Sequence, residues 1–235
     1  MNYSNENEFL KNYDPEQYSP VAVTVDCVVF GITKVSSENY RKLDKQSLNV
    51  LLVKRKDYPC KGQYALPGGF VGQDETLEEA AVKVLKHKTG LDDIFLEQLY
   101  TFGDVNRDPR MRVISCAYVS LVNTENVSIS DAEWFTVEEA AELTLAFDHN
   151  KIVQEAVMRL RGKISYTDIV FYMMPEKFTV SSLQEVYEII LGKKLIPAAF
   201  RRTIAEKLEE TDEFEKSAGH RPSRLYRKKL NSKDA

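Results

Sequence analysis

The sequence contains few cysteines and no long apolar run, and each shortage excludes a class of protein. Its three cysteines, Cys27, Cys60 and Cys116, lack the paired spacing of a zinc site, a redox motif or a disulfide framework. No apolar run approaches the roughly 20 residues that span a bilayer, and the acidic N-terminus lacks the basic and apolar parts of a signal peptide. We therefore expect a cytoplasmic protein with no membrane partner, in which Cys27 and Cys116 are buried thiols.

Charge is distributed unevenly along the chain. The net charge is −4, yet residues 193–229 contain 11 Lys or Arg against 6 Asp or Glu. A basic segment behind an acidic body indicates a polyanionic partner such as DNA. A solvated, charged C-terminus explains the same composition, so charge alone leaves both interpretations open.

The hydrophobic pattern divides the chain into three parts. Residues 1–19 are polar, and we interpret them as a flexible N-terminal arm or a strap over the first domain. Residues 20–162 mix strands and helices without strict alternation, which predicts an α+β fold with a helix-flanked sheet. Residues 163–235 begin with a connector and continue with two helices and a polar hairpin.

Individual elements follow from local patterns. Alternating β-branched residues predict strands, and helical spacing with Gly stops and Pro starts predicts helices. The predicted strands are 21–30, 48–55, 94–102, 112–122 and 133–135. The predicted helices are 75–90, 137–143, 149–164, the helix within 181–195 that Gly192 ends, and 196–210. A polar hairpin-like tail follows at 217–229, and residues 164–178 are the connector.

The stretch 69–91 carries the most specific motif. Gly69, Glu75, Leu85, Gly90 and Leu91 have the spacing of the Nudix box, G-x5-E-x7-R-E-U-x-E-E-x-G-U, where U is a bulky aliphatic residue. The preceding strand and the turn ALPGGF match as well. The chain therefore resembles the Nudix superfamily, which implies an α/β/α sandwich with a mixed sheet.

Carboxylates are missing from the half of the motif that the family uses for catalysis. The Arg position holds Lys83, and the three Glu positions hold Val84, His87 and Lys88. Positions i, i+3 and i+4 share one helix face, and in the family that face holds Mg²⁺ against a diphosphate. Because Mg²⁺ needs hard oxygen ligands, we expect no catalytic residue, no metal site and no cofactor here.

A binding pocket is expected to remain. The loop Asn106-Arg107-Asp108-Pro109-Arg110 resembles the RDPR segment of the ADP-ribose pyrophosphatase branch, and its arginines suit phosphates or a sugar acid. The alternative is a solvated turn in which Asp108 pairs with a neighbouring Arg. The candidate effector-binding residues are Arg55, Phe70, Glu75, Arg107 and Arg110.

The segment Ala146-Phe147-Asp148-His149 also resembles that branch. We predict that Asp148 is the N-cap of the following helix. The sequence indicates no partner for His149.

The C-terminal part fits a winged helix-turn-helix: a helix, a turn with Gly, a second helix and a basic hairpin. Arg201 and Arg202 on the second helix are expected to contact guanine in the major groove. The residues expected to neutralise phosphates are Lys193, Lys194, Arg221, Arg224 and Arg227. The alternative is a small helical domain with an ordinary charged face.

Together, residues 20–229 resemble the Nudix-related transcriptional regulators. The resemblance implies a homodimer that binds operator DNA and senses a small nucleotide-like or sugar-like effector such as ADP-ribose. It departs at Ala199, where the family often has Asn before Phe-Arg-Arg. The alternative function is a Mg²⁺-dependent Nudix hydrolase acting on a nucleoside diphosphate linked to another moiety, such as ADP-ribose, with a non-standard metal site built from Glu75, Glu79 and a loop carboxylate.

Overall fold

Six α-helices, four short 3-10 helices and nine strands lie in the described part of the chain, which in this computed structural model comprises residues 5–35, 45–90, 95–129, 131–215 and 222–229. The helices are α1 Glu6–Asn12, α2 Leu77–Thr89, α3 Val137–Glu142, α4 His149–Lys163, α5 Val180–Leu191 and α6 Pro197–Ile204. The strands are β1 Ala22–Val35, β2 Lys45–Lys54, β3 Tyr64–Ala65, β4 Gly68–Phe70, β5 Phe95–Phe102, β6 Val113–Leu121, β7 Ala132–Thr136, β8 Leu208–Phe214 and β9 Arg224–Lys228.

Strand β1 lies at the centre of a mixed sheet with the order β3-β2-β1-β6-β5. It pairs in parallel with β6, from Ala22 opposite Val113 to Phe30 opposite Leu121. It pairs antiparallel with β2 and with the short β4, while β7 extends the sheet on β2. The mixed sheet that the sequence predicts is confirmed.

The alternating residues of β1 form two apolar layers. Val25, Cys27 and Val29 face α2 in one cluster, whereas Val28 and Phe30 face α4 in another. Because successive side chains of a strand point to opposite faces, this one strand supports a helix on each side of the sheet. The α/β/α sandwich is thereby confirmed, and Cys27 and Cys116 are buried free thiols as expected.

The C-terminal part packs directly on the sandwich. Helices α5 and α6 and the hairpin β8-β9 form the predicted winged helix, and their apolar side chains join the same cluster as α4. The connector predicted at 164–178 is part of that cluster, because its Ile169–Met173 segment forms a 3-10 helix with Phe171 and Met173 buried. Helix α4 runs one residue past the predicted boundary at 162, and the division at that point stays a prediction.

The structure differs from the sequence-based expectations at the second helix of the C-terminal part and at the N-terminal arm. The helix predicted at 196–210 is too long: α6 ends at Ile204, and residues from Leu208 form β8 because they pair with β9. The arm predicted at 1–19 contains the short helix α1, whose residues are all exposed. Every helix within the described ranges is too short or too polar to span a membrane.

The close pairing of β4 with β1 leaves no space for a side chain at position 68. A Cβ there would lie 2.4 Å from Oδ1 of Asp26 and 2.7 Å from the carbonyl oxygen of Val25, on the central strand. We expect Gly68→Ala to lower the free energy of unfolding by about 1–3 kcal/mol in urea denaturation, because neither atom has room to retreat.

Gly69→Ala is the matched control, since its Cβ would make only an ordinary contact, 3.5 Å from Val84. Equal losses of stability in the two variants would show that close packing of β4 on β1 at position 68 is not the cause.

Candidate functional site

A cavity of about 210 Å³ opens where β1, β4, the loop after β5 and the start of α4 meet. Four of the five candidate effector-binding residues line it: Arg55, Phe70, Arg107 and Arg110. Asp26, Asp108, Phe147 and His149 complete most of the remaining polar and aromatic lining. The residues that the sequence assigned to one pocket are therefore brought together, with the exception of Glu75.

The floor of this cavity is a buried ion-pair network around Arg107. Its guanidinium donates to both carboxylate oxygens of Asp148, at 2.8 and 3.2 Å, and to Oδ2 of Asp26 at 3.1 Å. Ser115 also donates to that oxygen, at 2.6 Å. Burial opposes the charge of Arg107, but the hydrogen bonds and charges of the two carboxylates outweigh it and raise the arginine's pKa.

His149 joins the network from the first turn of α4. Its Nδ1 accepts a hydrogen bond from the backbone N–H of Leu66 at 2.9 Å, which assigns the ring hydrogen to Nε2. Nε2 lies 3.5 Å from Oδ1 of Asp26. Burial lowers the pKa of His149, so the ring is neutral in the folded protein.

Two expectations for this segment were incomplete. Asp148 occupies the N-cap position of α4, but its side chain makes no capping hydrogen bond because Arg107 binds both carboxylate oxygens. His149, for which the sequence indicated no partner, contacts groups 83 and 123 positions away in the chain. No local pattern links such distant residues.

Two arginines stack on phenylalanine rings along the wall of the cavity. The guanidinium of Arg55 lies 4.9 Å from the ring centre of Phe147, and that of Arg110 lies 5.4 Å from the ring centre of Phe70. Asp108 holds Arg110 through two hydrogen bonds of 3.0 and 2.7 Å, which lower the pKa of Asp108. The pairing of Asp108 with a neighbouring arginine, considered from the sequence, is present inside the pocket.

Phe147 is a pocket residue that the sequence analysis did not select. Its backbone is left-handed, with a φ of 55°, which is rare for a bulky residue. The flanking bonds hold it there: Ala146 N–H donates to the Tyr64 carbonyl at 2.8 Å, and Asp148 is bound to Arg107. Strain of this kind concentrates at binding sites.

Glu75 lies outside the cavity lining and has another role. Its carboxylate accepts a hydrogen bond from the Gly72 backbone N–H at 2.7 Å. It also forms an ion pair with the ammonium of Lys83, 2.6 Å away. Lys83, at the arginine position of the motif, thus fastens α2 to the preceding loop. The expected contact between Glu75 and an effector gains no support from this arrangement.

The motif helix does not fit a magnesium ion. Glu79 closes a capping box with Thr76, so two of the three carboxylates of the non-standard metal site are already engaged. Among the residues that the structure describes, no group of three His, Cys, Asp or Glu side chains is arranged to hold a metal. Leu91, the last motif residue, lies outside the described residues.

The winged helix presents its basic residues on α6, the preceding turn and the hairpin. Phe200 and Ile204 are buried beneath α6, which leaves Arg201 and Arg202 exposed. Arg201 and Arg224 line a groove of about 810 Å³ between α5, α6 and the hairpin. Arg224 pairs with Glu210 and Arg227 with Glu209, whereas Arg221 lies outside the described residues.

Glu188 fixes the turn between α5 and α6, which the sequence analysis did not notice. Its carboxylate accepts from Lys194 at 2.6 Å, from the Leu195 backbone N–H at 3.0 Å and from Gln184 at 2.8 Å. The hydrogen bond from Lys194, with those from Leu195 and Gln184, lowers the pKa of Glu188 to about 2. Lys194 is therefore exposed but already ion-paired, and Gly192 closes α5 with a φ of 67°.

Comparisons with known proteins match both halves of the chain. The NUDIX domain family matches residues 35–156, and the family of the NrtR DNA-binding winged helix domain matches residues 170–228. The chain is 40% identical to the ADPR responsive transcriptional repressor NtrR of Acinetobacter baylyi, over 100% of this chain and 92% of that protein.

Solved structures give the same result. Shewanella oneidensis NrtR in complex with a 27mer DNA has a TM-score of 0.76 and 32% identity, over 88% of this chain and 93% of that one. The NUDIX domain of the same protein in complex with ADP ribose has a TM-score of 0.53 and 33% identity, over 66% of this chain and 99% of that one. The chain thus belongs to the Nudix superfamily. Within it, the chain is a member of the group that carries an NrtR-type winged-helix DNA-binding domain.

Burial of neutral His149 predicts a specific pH dependence of stability. Because its folded pKa is lowered, the unfolded chain takes up this proton first, and stability falls as the pH drops below about 6.5. Between roughly pH 7 and 5.5, we expect the free energy of unfolding to fall by about 1 kcal/mol less in His149→Asn than in the wild type. The asparagine side-chain oxygen can still accept the hydrogen bond from Leu66.

Urea denaturation at each pH provides the measurement. The exposed His87, replaced as His87→Asn, is the control and should leave the wild-type pH profile unchanged. Parallel profiles for His149→Asn and wild type would show that His149 does not supply this dependence.

Proposed function

We propose that this chain is a cytoplasmic transcriptional regulator that binds operator DNA and changes its affinity when ADP-ribose occupies the Nudix pocket. The observation that carries the proposal is a retained pocket in a chain whose motif helix lacks metal ligands. The DNA-bound and ADP-ribose-bound structures of the Shewanella oneidensis relative, and the ADPR-responsive repressor of Acinetobacter baylyi, support both ligands.

The pocket has the chemistry to bind a nucleotide sugar. The guanidinium groups of Arg55 and Arg110 offer charge-assisted hydrogen bonds to a diphosphate, and the rings of Phe70 and Phe147 offer faces to a planar base. Arg107 is 4% exposed and serves primarily to hold the floor. Its direct contact with the effector stays a prediction.

Binding without cleavage follows from the composition of α2. In place of carboxylates, the catalytic face carries Val84, His87 and Lys88. These groups provide no oxygen ligand for Mg²⁺, and the ammonium of Lys88 repels the cation. A bound diphosphate therefore persists, which is what a sensor requires.

Helix α6 is the proposed recognition helix. Arg201 and Arg202 would contact base edges in the major groove, while Lys193 and Lys194 from the turn and Arg221 and Arg224 from the hairpin would contact phosphates. We further propose a homodimer, whose symmetry would place two operator half-sites about one helical turn apart.

Replacing both helix arginines tests the DNA-binding assignment. We expect Arg201→Ala with Arg202→Ala to weaken specific binding at least about tenfold, because each bidentate contact with guanine contributes roughly 1–3 kcal/mol. The measurement is fluorescence anisotropy with a duplex from the region upstream of the protein's own gene, compared with random DNA and repeated with ADP-ribose.

The control removes the same charge elsewhere, through Lys86→Ala with Lys88→Ala on α2. This variant should retain operator affinity. Wild-type affinity in the arginine variant would rule out α6 as the recognition helix, and equal affinity for random DNA would reduce the basic segment to a non-specific surface.

A hydrolysis assay distinguishes the regulator from the alternative enzyme. We expect ADP-ribose to survive incubation with the protein in Mg²⁺ or Mn²⁺, because the residues present do not hold the metal. Metal-dependent release of AMP that disappears in Glu75→Gln would instead support the hydrolase, since that alternative relies on Glu75 as a ligand.

A further inference from the structure

Helix α4 begins at the effector pocket. Its N-cap residue Asp148 and first residue His149 belong to the buried network with Arg107 and Asp26. The residue before them, Phe147, places its ring in the cavity wall against Arg55. A ligand that displaces this stacked pair acts directly on the backbone that enters α4.

The body of α4 is suited to move as one unit. Its 15 residues extend about 22 Å at 1.5 Å per residue. Ile152, Val153, Ala156 and Leu160 are buried along one side. A continuous helix packed in this way shifts or rotates as a rigid body rather than bending.

The far end of α4 contacts the helix-turn-helix. Nε of Arg161 donates a hydrogen bond of 2.9 Å to the carbonyl oxygen of Ile190, in the last turn of α5. The N–H of Gly192 bonds to Glu188 and Ile189, and the N–H of Lys193 bonds to Glu188. These bonds bypass the Ile190 carbonyl, one of the terminal carbonyls that a helix cannot satisfy internally.

Arg161 on α4 therefore donates a hydrogen bond to the C-terminal end of α5. Its positive charge also suits the negative end of the α5 dipole. Only five residues separate the end of α5 at Leu191 from the start of α6 at Pro197. The position of Ile190 therefore sets where the proposed recognition helix lies.

We propose that Arg161 is a positioning residue that transmits occupancy of the effector pocket through α4 to the helix-turn-helix. This inference rests on the proposed function, because it describes how ADP-ribose changes DNA binding. Ligand contact at Phe147 shifts the start of α4, and Arg161 carries that shift to the C-terminal turn of α5. The bond itself takes no part in binding either ligand.

The test measures coupling separately from binding. Operator affinity is determined by anisotropy with and without saturating ADP-ribose, and the ratio of the two dissociation constants is the coupling factor. Such factors are typically about 5–150. In Arg161→Met the factor should fall close to 1, while the affinity for ADP-ribose in the absence of DNA, measured by calorimetry, stays within about twofold of wild type.

Arg159→Met is the matched control, because it removes the same side chain from the same helix two residues away. It should keep the wild-type coupling factor. An unchanged factor in Arg161→Met would overturn the inference, and so would an equal loss in Arg159→Met. Should Arg161→Met not remain folded in thermal melting, Arg161→Gln, whose amide is too short to reach Ile190, is judged by the same criterion.

The same data separate this inference from the proposed function. If ADP-ribose binds the wild-type protein and alters operator affinity, the proposed function holds whatever Arg161 does. If ADP-ribose does not bind, or binds without effect on DNA, the proposed function fails and the inference fails with it.

Discussion

The buried ion pairs among Asp26, Arg107 and Asp148 are the interaction on which the pocket depends. They join the central strand, the loop after β5 and the start of α4. Burying two carboxylates and one guanidinium is costly unless all three are satisfied together, and loss of one partner leaves an unpaired buried charge. Ser115 donates a further hydrogen bond to Asp26, and Nε2 of His149 lies 3.5 Å from the other carboxylate oxygen of Asp26.

This network also determines how the chain enters α4. Because Asp148 is bound to Arg107, it does not cap α4, and the preceding Phe147 is held in a left-handed conformation against Arg55. The same contacts thus hold both the pocket wall and the beginning of α4 in place. On the opposite face of the sheet, Lys83 and Glu75 fasten α2 to the preceding loop, so the motif helix supports the sheet. In the proposed regulator, the pocket wall and the start of α4 both bind the effector and pass on its effect.

Local patterns were sufficient for the framework of the fold. The alternation in β1, the Gly stop after α5 and the spacing of the Nudix motif predicted elements that the structure contains. Prediction failed where a distant partner decided the outcome. Pairing with β9 ends α6 at Ile204, and Arg107, 41 residues away, removes the cap of α4. Glu75 illustrates a further limit, because the motif selects this residue but does not reveal that Lys83 pairs with its carboxylate.

In the proposed regulator, ADP-ribose and operator DNA influence each other through one chain, and linkage requires that influence to be reciprocal. The most direct measurement is calorimetric titration of ADP-ribose into the free protein and into its operator complex. We expect two different dissociation constants for ADP-ribose, whose ratio equals the factor by which ADP-ribose changes operator affinity. Identical affinities in the two titrations would contradict the claim, since a ligand that binds both states equally shifts neither.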